Sequence, residues 1–255
     1  MVRLKIPTLS TTKVISCGDS FPCGYGLPEI KNSYPSLLAR SFDGDLTSLA
    51  RPGCCNYSVA KQIEYATDLV SSDEDFVLVS TTNEDRIAFA KTGHVLNGGI
   101  TLEKLNYKFH KKDLLTELPF EPSNEIESET ISNILYAPHG ILKEEPKERL
   151  EALQTYSKYI YDRAIKKDQD IFMLLWKLTK LNQKTKNWGC ITNYNEIYDQ
   201  FPDNTLLINF GALCKDHPDV IGSGHFNEEG HEIVLNKIEE WYIDKIERPY
   251  YENKK

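Results

Sequence analysis

A serine hydroxyl is a poor nucleophile at neutral pH, and it becomes useful only beside a general base and beside donors fixed in advance for the charge that develops. The stretch Val14-Ile15-Ser16-Cys17-Gly18-Asp19-Ser20-Phe21 offers a place for one: a short apolar run stops abruptly at a small residue, a carboxylate and a hydroxyl. In open α/β sheets the reactive groups sit beyond the carboxyl ends of the strands. Gly18 permits the tight turn that such a strand end needs, and Ser20 falls on its exposed side. The same tripeptide also serves as an ordinary turn or helix N-cap, because Asp and Ser both accept hydrogen bonds from orphan amides. Three later stretches add weight: the glycine loop Arg51-Pro52-Gly53-Cys54-Cys55-Asn56, the segment Thr82-Asn83-Glu84 behind an apolar run, and a His-rich loop with His225 and His231 ahead of the last helical pattern. Taken singly, Gly53 suits a turn, Asn83 a helix cap and His225 a surface loop.

The elements that would position these residues read as alternating strands and helices. Tyr34 to Arg40 predicts a short helix with Pro35 tolerated in its first turn. Asp45 to Ala50 suits a second strand, and Val59, Ile63, Ala66 and Val70 recur at helical spacing behind the glycine loop. Asp75 to Thr82 is a continuous apolar run of the kind found in buried parallel strands. Strand, helix, strand, helix, strand implies right-handed crossovers and a doubly wound sheet. From residue 93 to 146 the pattern weakens, and the segment reads as an insertion or lid within a single domain spanning 1–255. Helical periodicity returns at Leu150, Leu153, Ile160 and Ala164 and continues through Ile171, Leu174, Leu175 and Leu178, as one long helix or two collinear ones. Met173 and Trp176 in this stripe read as core or lid packing. Two further strands are placed at Trp188–Thr192 and, more clearly, at Thr205–Phe210. The last helix carries Val234, Ile238, Trp241 and Tyr242, with Asn227 as its natural N-cap.

Composition bounds the function classes. With 255 residues the chain can bury one large α/β core, although length alone also admits two small domains. A net charge of -8 with dispersed Lys and Arg argues against a nucleic-acid backbone as partner. No apolar run approaches the roughly twenty residues that span a bilayer, and the opening Met1-Val2-Arg3-Leu4-Lys5-Ile6-Pro7 is too short and polar for a signal-peptide core. A soluble, intracellular protein with no membrane partner is therefore the expectation, and oligomeric state is not legible. The six cysteines lack the density of a disulfide framework and contain no Cys-x-x-Cys pair, so free thiols and no structural zinc are expected.

Together, Gly18-Asp19-Ser20, the Gly53 loop, Asn83 after its strand and His225 before the last helix resemble the blocks of the SGNH/GDSL hydrolase family, in an order that covers nearly the whole chain. The resemblance implies a three-layer α/β/α sandwich with a flavodoxin-like, five-stranded parallel sheet. It implies that Ser20 attacks an ester carbonyl and His225 takes the proton. The Ser20 amide, the Gly53 amide and the Asn83 side chain would then hold the oxyanion, with no metal or cofactor. The family's His followed by Gly-His assigns the base to His225 and leaves His231 to pack or hydrogen-bond.

This sequence departs from the family pattern at several positions. Phe21 stands where an aliphatic residue is usual, Thr81 where a glycine precedes the oxyanion asparagine, and Glu84 where an aspartate follows it. The family acid lies two or three residues before the catalytic histidine, where this chain has Ser223 and Gly222. Asp219 is the nearest acid upstream and is the expected third member, with Asp216 as fallback, if the glycines let the loop bulge. Otherwise a backbone carbonyl substitutes or activity is low. The expected function is a serine esterase acting on acetyl or other short acyl esters of a small molecule or glycan. The alternative is a catalytically silent module of the same fold that binds a glycan or protein partner.

Overall fold

The apolar run leading to Ser20 forms strand β1 (Lys13–Cys17), flanked in parallel by β2 (Asp45–Ser48) on one side and β3 (Phe76–Ser80) on the other. The computed structural model describes residues 13–51, 54–82, 84, 86–90, 126–130, 147–222 and 225–247. A separate antiparallel pair joins β4 (Arg86–Ala90) to β5 (Ile126–Thr130). The rest of the expected insertion at 93–146 lies outside the described residues. Beyond β3 the main sheet continues with β6 (Trp188–Thr192) and β7 (Thr205–Leu207), all neighbours parallel. The spatial order β2-β1-β3-β6-β7 is the flavodoxin-like order, with its direction reversal between β1 and β3.

The period of two along each strand divides the core into two layers of packing. Ile15, Cys17, Val77 and Val79 face one side, where α3 (Asn56–Leu69) and α5 (Arg163–Lys184) contribute Val59, Ile63, Leu174 and Leu178. Val14, Phe76 and Leu78 face the other, against Leu37 and Leu38 of α2 (Tyr34–Ser41) and Val234, Ile238 and Tyr242 of α8 (Glu228–Tyr242). Helices on both faces make this an α/β/α sandwich. Shorter helices α1 (Ser20–Cys23), α6 (Asn195–Gln200) and α7 (Phe210–Asp216) lie in the connections, and α4 (Lys147–Tyr159) precedes α5.

Several details differ from the sequence reading. Of the two forms admitted for the helical stretch it is two helices that form, with Asp162 capping the second by accepting from the Ile165 amide at 2.9 Å. The apolar run at Thr205–Phe210 stops as a strand at Leu207, because Asn209 accepts from the Ala212 amide at 2.9 Å and starts α7 with Phe210. Trp176 is half exposed and not in the core, with the Lys177 and Lys180 ammonium groups 4.4 and 4.6 Å from its ring centre. All six cysteines are free thiols, five of them buried and Cys214 half-buried. Among the described residues no helix is long and apolar enough to cross a membrane.

Candidate active site

β1 ends one residue before a glycine that no other residue could replace without strain. Gly18 has φ +148°, and a Cβ there would lie 2.5 Å from Pro22 Cγ and 2.9 Å from the Ser80 carbonyl oxygen. The turn is fixed on both of its backbone groups: the Gly18 amide donates to Gln62 Oε1 at 2.6 Å, and its carbonyl accepts from the Arg51 amide at 3.0 Å. Asp19 is buried and caps α1, one oxygen accepting from the Phe21 amide at 3.1 Å and the other from Thr82 Oγ1 at 2.9 Å. Ser20 therefore opens α1 at the carboxyl end of β1, beside the point where the strand order reverses.

A small hairpin brings the histidine to it. β8 (Ile221–Gly222) pairs antiparallel with β9 (His225–Phe226), and the Asn227 amide donates to the Val220 carbonyl at 2.7 Å behind it. His225 Nε2 lies 2.9 Å from Ser20 Oγ. The imidazole rests against Phe21, with ring centres 5.4 Å apart, and meets Tyr25 edge-on at 5.0 Å. Phe226, the next residue, is buried against Phe21 and Phe210 and so anchors the hairpin in the core. Asn227 caps α8 through the Gly230 amide at 3.0 Å.

Asp219, expected as the acid, does not reach the imidazole by a hydrogen bond. Its side chain is exposed, and it is its backbone carbonyl that is used, accepting from Asn227 Nδ2 at 2.8 Å. Asp216 is likewise exposed. Among the described residues nothing hydrogen-bonds His225 Nδ1, although that atom is buried. The short turn at Pro218–Val220 leads directly into β8 and leaves the Asp219 side chain at the surface. His231 is a structural residue: fully buried, it accepts from the Tyr34 amide at 3.2 Å through Nδ1. Burial, with a smaller contribution from the nearby His225 charge, lowers it to about 4, so it stays neutral.

Gly53 and Asn83 lie outside the described residues, but the segment that delivers Asn83 is visible up to Thr82. The Thr81 amide still donates to the Ile191 carbonyl at 3.0 Å as an extension of β3, and Thr81 Oγ1 donates to Thr192 Oγ1 at 2.8 Å. Thr82 is held by Asn56, whose amide side chain faces both its N–H and its C=O at 2.9 Å. Sequence reasoning missed Asn56 and the polar residues behind it, Asp170, Tyr194 and the pair Glu84–Arg163. Glu84 stood out only as a departure from the family pattern, and Asp170 could have been found from the Lys166–Asp170 spacing of four on one helix, which the structure shows as an ion pair. Arg163 donates to Glu84 Oε1 through Nε at 3.0 Å and Nη2 at 2.8 Å. Burial works to raise Glu84, but its own backbone amide and Arg163 outweigh it and hold the carboxyl below its ordinary range. Asp170 is raised by burial, with Lys166 opposing.

The residues on either side of Ser20, Asp19 and Phe21, line a cavity of about 490 Å³ together with Thr82, Phe210, Glu84 and Arg163. The fold and these contacts define an α/β/α protein with a serine–histidine pair at its topological switch point. No known protein-family model matches the chain, and no curated protein matches it by sequence. Among solved structures it is similar to the psychrotrophic esterase EstA from Pseudoalteromonas sp., whose structure was determined inhibited by monoethylphosphonate. The identity is 10%, with 94% of this chain and 99% of that one covered and a TM-score of 0.47. It is also similar to a member of the lipolytic protein G-D-S-L family from Veillonella parvula DSM 2008, at 12% identity over 93% of this chain and 99% of that one, with a TM-score of 0.39.

Proposed function

We propose that this protein is a serine hydrolase that cleaves acetyl or other short acyl esters, with Ser20 as nucleophile and His225 as general base. The observation that carries the proposal is the 2.9 Å approach of His225 Nε2 to Ser20 Oγ at the carboxyl end of β1, with a cavity alongside. Nε2 takes the hydroxyl proton as Oγ attacks the carbonyl carbon, and returns it to the departing alkoxide. Water then repeats the sequence on the acyl-enzyme. The oxyanion is assigned to the Ser20 and Gly53 amides and the Asn83 side chain, by resemblance to the SGNH/GDSL blocks. The imidazole is held by Phe21, Tyr25 and the anchored hairpin, and Asp219 is assigned no orienting contact, so the pair works as a dyad. The cavity's mix of Phe21 and Phe210 with Thr82, Asn193 and Asn209 suits a small acyl group on a polar alcohol, sugars included.

A fluorophosphonate probe tests this directly. Ser20 should be labelled in the wild-type chain and unlabelled in Ser20→Ala, and turnover of p-nitrophenyl acetate should vanish with the label. Absence of labelling in the folded wild-type protein would leave the binding-module alternative in its place.

A further inference from the structure

We infer that Asn56 is a positioning residue that sets the backbone from which Asn83 is presented, an inference that rests on the hydrolase reading above. At the end of β3 the sheet stops supplying partners: β1 has turned away at Gly18, and the Thr81 amide makes the last bond to the neighbouring strand, at the Ile191 carbonyl. Thr82, the next residue and the one before Asn83, has no sheet partner for its buried N–H, which is costly to leave unpaired. The side chain of Asn56, fully buried at the start of α3, supplies the missing peptide-like edge. Its Oδ1 accepts from the Thr82 amide at 2.9 Å, and its Nδ2 lies 2.9 Å from the Thr82 carbonyl oxygen.

The orientation of that amide is itself forced. A backbone N–H only donates and an ionised carboxylate only accepts. Oδ1 must therefore face Thr82, while Nδ2 faces Asp170 Oδ2 at 3.1 Å and Tyr194 OH at 2.9 Å. Two protons cannot serve three acceptors at once. The Tyr194 hydroxyl resolves this by donating its own proton to the Thr82 carbonyl, also at 2.9 Å. Asp170 and Tyr194 are both buried, and Lys166 pairs with Asp170, so the charge is compensated where it lies. Thr82 is also tied to the nucleophile's turn, through Oγ1 to Asp19. Asn56 touches no substrate. It acts by keeping Thr82, and with it the backbone entering Asn83, in register with Ser20.

Two measurements on the full chain test this. The Thr82 amide should exchange slowly in the wild type and at least a hundredfold faster in Asn56→Ala, with the Leu78 and Val79 amides of β3 unchanged. With p-nitrophenyl acetate, Asn56→Ala should lower kcat at least tenfold with KM within threefold. Asn83→Ala should then cost far less in that background than in the wild type, because residues acting as one unit are not additive. If Asn56→Ala folds poorly, Asn56→Asp is the substitute: alone it sets two carboxylates face to face and should lose a similar factor in kcat. Adding Asp170→Asn should restore most of that loss. Unchanged Thr82 exchange, or unchanged kcat in an enzyme that Asn83→Ala does slow, would overturn the inference and leave the hydrolase reading standing. A wild-type chain with no turnover and no Ser20 labelling would overturn both, even with the exchange result as expected.

Discussion

Replacing Asp219 by asparagine separates a dyad from a triad. In serine hydrolases with a carboxylate bonded to the histidine, its conversion to an amide lowers kcat about ten-thousandfold, because the ring adopts the wrong tautomer. In this structure the Asp219 side chain is exposed and makes no hydrogen bond to His225, whose Nδ1 has no partner among the described residues. What remains is attraction through water, and even two unit charges at contact distance gain only about 1 kcal/mol there. At about 1.4 kcal/mol per factor of ten, the ceiling is roughly a fivefold loss. Asp219→Asn is therefore expected to retain at least a fifth of wild-type kcat/KM on p-nitrophenyl acetate, indistinguishable from Asp216→Asn. The backbone carbonyl that accepts from Asn227 is retained, so the α8 cap and the fold should survive. A loss of a thousandfold or more in Asp219→Asn, with the urea midpoint unchanged and Asp216→Asn near wild type, would refute this reasoning and make Asp219 the acid.

Tyr25→Ala removes the edge contact on His225 from a residue that is 53% exposed, so stability should shift by no more than about 0.5 kcal/mol while kcat/KM falls about two- to tenfold. Tyr25→Phe should restore it, and equal kinetics for both variants would refute the ring-clamping role. Gly18→Ala puts a methyl group against Pro22 and the Ser80 carbonyl at positive φ, and should cost about 3 kcal/mol by urea unfolding, with activity lost as well. His231 is neutral in the folded chain down to about 4, whereas an unfolded histidine takes up its proton near 6.5. Stability should therefore be fully present above pH 6.5 and fall as the pH drops to about 4, by on the order of 3 kcal/mol from this group. His231→Asn keeps an acceptor for the Tyr34 amide but does not titrate, so its denaturation midpoint should vary less over that window. An identical slope would show that other groups carry it.

The sheet was legible because buried parallel strands are written as unbroken apolar runs: Phe76 to Val79 has every residue inside. α8 was legible from its spacing and from Asn227. What the chain does with Trp176 was not, since a ring two residues beyond Leu174 on a helix turns about 200° away from the core. Thr205–Phe210 misled for a different reason: Asn209 ends an extended run and starts a helix with one side chain, a choice that hydropathy does not record. At the site, Ser20 and His225 could be picked out by motif, yet 205 positions separate them and only the folded hairpin sets their distance. Asn56 was hidden because its partners lie 26, 114 and 138 positions away, and an isolated asparagine behind a glycine loop looks like a cap.

Ser20, Phe21 and Tyr25 fall within six consecutive positions of chain, so the Ser20 hydroxyl and the aromatic wall that meets the imidazole are made by one local segment. The hairpin that carries His225 has strands of only two residues, too little ladder to define a ring's position by itself. The placing of the imidazole is thus borrowed from the neighbourhood of Ser20 itself. A disturbance that lifts the hairpin leaves its mould intact, and the ring has a shaped seat to return to. Conversely, a graft of the Gly18–Tyr25 segment onto another parallel sheet would carry with it half of the fit that its histidine needs.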